Sequence, residues 1–164
     1  MFYFEILSQF YLQNVRYLLV GGLAVNLYGI PRTTQDIDII IATDKENIHK
    51  LNRVLQDLGY HPRLPVNAEE LASEEARRSW VDEKNLVAFS FVHREESYRM
   101  VDVVIAHPLN FEQAYARRKV RKGEGIEIYL ASEEDLIRMK EQSKREQDKQ
   151  DIVMLKNVLK RDNE

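Results

Sequence analysis

The sequence predicts an α/β fold in which short β-prone segments alternate with helices around one hydrophobic core. Two observations support this prediction. Residues 17–41 have the pattern of a strand, a glycine turn, a short helix, a loop and a second strand. Apolar residues recur at helical spacing elsewhere, most clearly in residues 45–58, where Asp44 can cap the helix and Gly59 can end it.

The composition is that of one globular domain. The chain has 164 residues, of which 44% are hydrophobic. We expect a single domain over 1–164, with a sheet-containing core at 1–130 and a helical extension at 131–164. The net charge of -3 disfavours a general nucleic-acid coat protein, and the lack of cysteine excludes disulfides and thiolate metal sites. Since no apolar run is long enough to span a bilayer and the N-terminus does not resemble a signal peptide, we expect no membrane partner and a cytoplasmic location.

The other elements follow from the same periodicities. Helices are predicted at residues 2–12, 68–78, 110–118 and 132–160, the last capped by Ser132 with Asp135 at its third position. Strands are predicted at 86–93, 98–106 and 126–130, and a sharp turn at 94–97 makes the first two an antiparallel pair. Two prolines make residues 61–66 an edge strand or a loop.

The segment 20–41 also carries the residues that indicate chemistry. Gly21 and Gly22 allow a sharp reversal whose exposed amides attract phosphate oxygens. In the strand that follows, Asp36 and Asp38 point to one face and the isoleucines point to the other. Two like charges about 7 Å apart on one strand are unfavourable unless a cation lies between them. Their hard oxygen ligands suit Mg²⁺, or Mn²⁺, so we expect a site for a nucleoside triphosphate (NTP) and a divalent metal.

This pattern resembles the signature of the nucleotidyltransferase (polymerase β-like) superfamily. That signature is a Gly-Gly or Gly-Ser turn followed by Asp-x-Asp or Asp-x-Glu on the next strand, and here thirteen residues separate Gly22 from Asp36. Four further residues resemble the small bacterial branch that includes the AbiEii-type toxins: Ala24, Gly29, Arg32 and Thr34. The resemblance implies a twisted, mixed and mostly antiparallel sheet with flanking helices and a long C-terminal helix.

A third carboxylate stands in the strand predicted at 98–106. Asp102 has β-branched neighbours, and an apolar strand has no structural use for an acid unless it is paired or binds metal. In the superfamily that the chain resembles, a third carboxylate comes from a later strand beside the Asp-x-Asp strand. The resemblance therefore implies that Asp36, Asp38 and Asp102 are catalytic and bind metal, with Asp102 either the base for the acceptor hydroxyl or the third metal ligand.

The last predicted helix has a middle stretch without apolar residues, from Lys140 to Asp151. It resembles the branch's C-terminal signature, Lys-x-x-Ala-x-Arg-x-Lys-Asp-x-x-Asp-Ile, although Ser143 and Gln147 depart from it. Lysines and aspartates of this stretch share one helical face, which we expect either to line the nucleotide site or only to dock the helix. The predicted nucleotide- and phosphate-binding residues are Gly21, Gly22, Arg32, Thr34, Lys140 and Arg145.

The implied reaction is transfer of a nucleoside monophosphate from an NTP such as ATP to a hydroxyl acceptor, with release of pyrophosphate. The acceptor is open between a protein, a tRNA end and a small molecule such as an antibiotic. A toxin–antitoxin-type enzyme would also have a cognate antitoxin as partner. The alternative is a non-catalytic nucleotide-binding or toxin–antitoxin regulatory module on the same fold, which the presence of all three carboxylates disfavours.

Structural interpretations of the same residues stay open at this point. The pair Asp36 and Asp38 could be solvated on an edge strand, and Asp102 could pair with an arginine. Arg32 could be an ordinary residue of a surface loop. The basic cluster at residues 117–122 is typical of a solvated surface and, if functional, would attract RNA or a triphosphate.

Overall fold

The computed structural model describes residues 2–163 and confirms the predicted α/β class, with seven α-helices, a short 3₁₀ helix and seven strands. The helices are α1 (Phe2–Leu12), α2 (Gly21–Leu27), α3 (Lys45–Asp57), α4 (Glu74–Lys84), α5 (Phe111–Ala116), α6 (Glu133–Lys140) and α7 (Glu146–Asp162), and the 3₁₀ helix is Ala68–Ala72. The strands are β1 (Tyr17–Val20), β2 (Ile37–Ile41), β3 (Tyr60–Pro62), β4 (Ala88–His93), β5 (Met100–Val104), β6 (Lys119–Gly123) and β7 (Ile126–Leu130). Across residues 2–163 we find no helix with the length and apolar character needed to cross a membrane.

The strands form one mixed sheet in the order β3-β4-β5-β2-β1-β7-β6. Neighbouring strands are parallel in two pairs, β1–β7 and β2–β5, and antiparallel in the other four. The prediction of a mixed, mostly antiparallel sheet is thus confirmed. Because β2 lies in the middle of the sheet, the interpretation of Asp36 and Asp38 as an edge-strand pair is wrong.

One face of the sheet is buried beneath helices. Its side chains come from alternate positions of four strands: Tyr17, Leu19, Ile37, Ile39, Phe89, Phe91, Val101 and Val103. Helix α1 packs on this face through Phe10, whose ring centroid is 5.2 Å from that of Tyr17. Helix α4 packs there through Trp80, at 5.2 Å from Phe89. Since alternate residues point to opposite faces, the polar side chains of β2, β4 and β5 lie on the other, more open face.

Two local predictions in the middle of the chain are wrong in detail. The helix expected at 68–78 is a 3₁₀ helix followed by α4, because the Ser73 hydroxyl accepts a hydrogen bond from the Ala76 N–H (3.1 Å) and starts a second helix. Residues 119–123, interpreted only as part of a basic cluster, form the edge strand β6. The connecting turn has positive φ at Glu124 (51°) and Gly125 (81°), as a tight two-residue hairpin requires.

The single helix predicted at 132–160 is two helices, α6 and α7. Its start is as predicted, since the Asp135 N–H donates to Ser132 Oγ at 3.2 Å. In one continuous helix Lys140 and Asp148 would lie about 12 Å apart along the axis. Instead Lys140 Nζ is 3.0 Å from Asp148 Oδ1. The break at residues 141–145 therefore folds α7 back against α6, and the stretch lacks apolar residues because it forms ion pairs between the two helices.

Asn47 joins the segments that flank β1 and β2. Its side chain is buried (3% exposed) and donates Nδ2 hydrogens to the carbonyls of Arg16 (3.0 Å) and Ala42 (2.8 Å). Its Oδ1 accepts a hydrogen bond from the Arg16 N–H at 2.7 Å. This one amide therefore pairs with three backbone groups, of which the Arg16 carbonyl also accepts a hydrogen bond from the Ala42 N–H (3.3 Å).

Replacement of this side chain, Asn47→Ala, should lower the free energy of unfolding by about 2–4 kcal/mol, because it leaves buried backbone groups unpaired. Urea unfolding followed by circular dichroism measures the loss. The exposed Gln56 of the same helix provides a control, and Gln56→Ala should stay within about 0.5 kcal/mol of wild type. Equal losses in the two variants would contradict this role for Asn47.

Candidate active site

Three carboxylates gather where β2 and β5 run side by side. The parallel register places Asp38 directly beside Asp102, and Asp36 immediately precedes β2. On the other side of β5, Ser90 of β4 is paired with Asp102, and its hydroxyl donates a hydrogen bond of 2.6 Å to Asp102 Oδ1. The partner of Asp102 in this structure is therefore a serine hydroxyl and not the arginine considered from the sequence.

The carboxylates affect one another's protonation. Burial, followed by the charges of Asp102 and Asp36, raises the pKa of Asp38 from 3.8 to about 7, although Lys140 acts in the opposite direction. Burial and the charge of Asp102 also raise the pKa of Asp36. Raised carboxyl pKa values show that negative charge is poorly compensated at this position. A bound cation would relieve that repulsion.

The donor chemistry of this cluster fits a hard divalent cation. Within residues 2–163, however, no group of three or more histidine, aspartate or glutamate side chains is arranged so that it could hold a metal ion. Mg²⁺ is commonly held by one or two carboxylates and completes its coordination with water and substrate phosphates. The carboxylate oxygens of Asp36, Asp38 and Asp102 are of the kind that Mg²⁺ takes, but the three side chains do not form a closed metal site in this arrangement.

The two glycines after β1 allow a close approach to the carboxylates. Gly21 has φ +71°, and a Cβ at this position would lie 2.2 Å from Asp38 Oδ2. A Cβ at Gly22 would lie 3.0 Å from Thr34 Oγ1 and 3.3 Å from Arg32 Nε. The start of α2 therefore contacts three of the predicted site residues only because neither position carries a side chain.

A cluster of charged side chains connects α6, α7 and the loop before β2. Lys140 is buried (7% exposed), and its Nζ is 3.0 Å from both Asp148 Oδ1 and Asp151 Oδ2. Arg32 Nη1 also pairs with Asp151, and Arg145 Nε lies 2.9 Å from Asp148 Oδ2. We call these five residues the ion-pair cluster. Three cations that the sequence predicted to meet phosphate are thus held in place by two aspartates of α7.

Two clefts meet at the carboxylates. The first, the α6 cleft, has a volume of about 270 Å³, and the predicted site residues that line it are Gly21, Asp38, Lys140 and Arg145. The second, the α2 cleft, has a volume of about 630 Å³, and those that line it are Arg32, Thr34 and Asp36. Asp38 of β2 and Asp36, which immediately precedes β2, thus belong to different clefts. Since Lys140, Arg145 and Asp148 line the α6 cleft, the polar face of the C-terminal helices both docks α7 and lines a cleft.

The basic cluster at 117–122 lines neither cleft. Arg117 makes a two-pronged ion pair with Asp135, in which both N–O distances are 2.7 Å. Arg118 stacks over Tyr115, with its guanidinium carbon 4.1 Å from the ring centroid. The other basic residues of the cluster are exposed on β6.

Ser90 is a site residue that we did not predict from the sequence, although a signal for it exists. The β4–β5 hairpin pairs residues whose numbers are symmetric about Glu96, so Ser90 must lie beside Asp102 once the turn is located. The partners of Lys140 and Arg32 had no comparable signal. Asp148 and Asp151 reach them across a helix break that the periodicity did not reveal.

The close approach at Gly21 predicts a graded effect of alanine substitution. Gly21 and Gly29 both have positive φ (71° and 87°), so both variants incur backbone strain of about 1–2 kcal/mol. A Cβ at Gly29 meets nothing within 4 Å, whereas at Gly21 it meets Asp38. In urea unfolding, Gly21→Ala should therefore lose about 3 kcal/mol or more and Gly29→Ala about 1 kcal/mol. Similar losses would show that the Asp38 contact is unimportant.

The ion-pair cluster predicts a pH-dependent contribution to stability. Burial alone would raise the pKa of Asp148, but hydrogen bonds from Ser143 and Lys140, with the charges of Lys140 and Arg145, lower it to about 2. Since an unfolded aspartate titrates near pH 4, the contribution is complete above about pH 4 and is lost as pH falls towards 2. The stability difference between wild type and Asp148→Asn should therefore shrink from about pH 6 to pH 2 in urea unfolding. A difference that does not vary with pH would contradict the assignment.

Three solved structures resemble the chain over most of its length. The lincosamide antibiotic adenylyltransferase LnuA, bound to lincomycin, has a TM-score of 0.60 and 23% identity, and the match covers 95% of each chain. ANT(2″)-Ia in complex with adenylyl-2″-tobramycin has a TM-score of 0.57 and 12% identity, covering 96% of this chain and 87% of that one. An antigenic nucleotidyltransferase-like protein from Paracoccidioides brasiliensis has a TM-score of 0.51 and 18% identity, covering 92% and 71%. At these identities the likeness shows a shared fold.

The sequence itself gives the family. No functionally curated protein matches the chain. The model of a family described as "Nucleotidyltransferase of unknown function (DUF6036)" matches residues 4–161, which is nearly the whole chain. This match confirms the resemblance to the nucleotidyltransferase superfamily that the glycine pair and the Asp-x-Asp strand indicated. The chain belongs to the nucleotidyltransferase family DUF6036.

Proposed function

We propose that this nucleotidyltransferase moves a nucleoside monophosphate from an NTP to a hydroxyl acceptor, with Mg²⁺ or Mn²⁺ as the required metal. The observation that supports this most directly is the placement of Asp38 beside Asp102 on parallel strands, against the glycine turn. The family description and the adenylylated tobramycin in one structural neighbour agree with transfer of a nucleotide.

The α6 cleft is the proposed binding site for the triphosphate. Lys140 has three ammonium hydrogens, and its two ion pairs leave the third for a phosphate oxygen. Arg145 lines the same cleft, and its ion pair uses Nε, so its terminal nitrogens can meet phosphate. The amides of Gly21 and Gly22 add uncharged donors at the point where α2 begins. Arg32 and Thr34 support this glycine turn from the opposite side.

In the proposed reaction the acceptor oxygen attacks the α-phosphorus of the NTP. The bond from this phosphorus to the bridging oxygen breaks, and pyrophosphate leaves. Asp102 takes the proton of the acceptor hydroxyl, and the Ser90 hydrogen bond to Oδ1 orients its carboxyl group. Bound at Asp36, Asp38 and Asp102, a divalent metal would supply positive charge for the phosphate oxygens. The rest of the catalytic effect comes from positioning and fixed charge, as is usual for phosphoryl chemistry.

Two broader expectations from the sequence belong to this proposal as well. The first is a toxin–antitoxin-type role, in which a cognate antitoxin would bind the chain. The second is a cytoplasmic location, which suits an NTP-dependent reaction.

Removal of either strand carboxylate should abolish transfer. Asp36→Asn and Asp38→Asn should each lower the rate at least about a thousandfold, because the metal and the triphosphate lose a negatively charged ligand. Incubation with α-labelled NTPs and Mg²⁺ or Mn²⁺ measures transfer and pyrophosphate release. The exposed Asp57→Asn on α3 serves as the control. Equal rates in wild type and both site variants would rule out this active site, and metal-dependent NTP binding without turnover would favour the non-catalytic module.

The substitution Asp38→Asn should also stabilise the protein when metal is absent. The folded pKa of Asp38 is about 7, above its ordinary value of 3.8, so ionisation of this carboxyl destabilises the fold as pH rises between these values. In EDTA, Asp38→Asn should match wild type near pH 4 and gain about 2 kcal/mol near pH 8. Urea unfolding at both pH values measures this difference. A loss of stability at pH 8 would contradict the raised pKa.

A further inference from the structure

We infer that the α2 cleft binds the acceptor, and that the acceptor is a small hydroxylated molecule with an apolar or aromatic body and no phosphate group. This inference rests on the proposed function, because it assigns the second substrate of that reaction. The evidence for it is that Asp36 and Asp38 line two different clefts, and that the two clefts are lined by different kinds of side chain.

The position of the α2 cleft suits the second substrate. Asp38 opens onto the α6 cleft, where Lys140 and Arg145 offer positive charge for a triphosphate. Asp36, which immediately precedes β2, opens onto the α2 cleft. A molecule in the α2 cleft therefore occupies a region next to the carboxylates that is separate from the proposed triphosphate site. In-line displacement needs separate regions for the attacking and leaving oxygens, because these lie on opposite sides of the phosphorus.

The lining of the α2 cleft is largely apolar and aromatic. Its apolar side chains come from α1, α2, β2 and the β4–β5 turn: Phe2, Tyr3, Leu23, Leu27, Ile37 and Tyr98. The volume of about 630 Å³ lies within the range of small-molecule pockets, roughly 300–1,000 Å³. Burial of these side chains is favourable when the ligand also has apolar surface to bury. A polar nucleic-acid end or a charged peptide lacks such a surface and therefore matches this lining poorly.

Tyr98 is the most informative residue of this lining. Its side chain is 67% exposed although it is large and aromatic. Its hydroxyl donates a hydrogen bond of 2.5 Å to Glu96 Oε2, which holds the ring in place at the edge of the cleft. An exposed and oriented ring beside an apolar cleft is typical of a surface that stacks on a flat or apolar part of a ligand.

The charges around the α2 cleft disfavour a phosphate-bearing acceptor. Among the described residues that line it, the single cation is Arg32, and its guanidinium is paired with the buried Asp151. A phosphate would therefore find little free positive charge among the side chains of this cleft. The remaining polar residues are neutral and can hydrogen-bond hydroxyl groups: Asn26, Thr33, Thr34 and Gln35. An RNA end, with its chain of phosphates, therefore fits the cleft poorly.

Binding and transfer together test this inference. The probes are a panel of phosphate-free hydroxylated amphiphiles that includes lincomycin, with total tRNA as the polyanionic alternative. Ligand-observed NMR measures binding of each small probe, and α-labelled ATP with Mn²⁺ measures transfer to the small probes and to tRNA. The variants are Leu27→Glu, which places a charge in the cleft, and Tyr98→Ser, whose exposed position leaves folding unaffected. The control is Leu12→Glu, on an exposed leucine (60%) outside the cleft.

The inference predicts that at least one amphiphile binds wild type and the Leu12→Glu control. Both cleft variants should weaken that binding tenfold or more, and tRNA should accept no label. If no amphiphile binds, if the cleft variants bind as wild type does, or if tRNA is labelled in preference, the inference is wrong. Binding that depends on the cleft, without any transfer from ATP, would support this cleft as a ligand site and count against the proposed reaction.

Discussion

The site depends on one close approach, that of the Gly21 backbone to the carboxylate of Asp38. The missing side chain lets β1 turn directly into α2 while Asp38 remains beside it, since a Cβ there would lie 2.2 Å from Oδ2. The parallel pairing of β2 with β5 then places Asp102 next to Asp38. An acid cluster, a glycine turn and a helix start are thus brought together by the hydrogen bonding of the central sheet. Side-chain packing on the opposite face holds that sheet in place.

This arrangement of acids lowers the stability of the fold when no cation compensates their charge. Burial and mutual repulsion raise the pKa of Asp38 to about 7, so the fold keeps acids together at the expense of stability. The nearby ion-pair cluster offsets part of this loss of stability. Asp151 is almost fully buried and pairs with both Lys140 and Arg32. The removal of one partner of such a cluster typically costs about 3–5 kcal/mol, because a buried charge is left alone. Helix α7 therefore fixes two cations, Lys140 and Arg32, in addition to packing against α6.

The sequence predicted most of the elements, because local signals determine them. The strand pattern in residues 37–41 and the caps at Asp44 and Ser132 each depend on neighbours in the chain, and the structure contains this strand and both caps. The helix break after Lys140 was missed, because the ion pairs that favour it form only between two packed helices. The β6 strand was missed for a related reason. Its charged side chains show no strand-like pattern in the sequence, and it pairs with β7 because of the turn at Glu124 and Gly125. The site residues on β2 and β5 were predictable from a resemblance, whereas the two clefts were not, because they depend on how loops and helices pack around the sheet.

The central claim is that the three carboxylates hold a metal which joins the protein to a triphosphate in the α6 cleft. Crystals grown with a non-hydrolysable NTP analogue and Mn²⁺ test it most directly, since manganese is located by its anomalous scattering. The account predicts a manganese peak in contact with at least two of Asp36, Asp38 and Asp102, and a triphosphate that contacts Lys140 and the Gly21–Gly22 turn. Nucleotide bound elsewhere, or manganese away from these carboxylates, would contradict it.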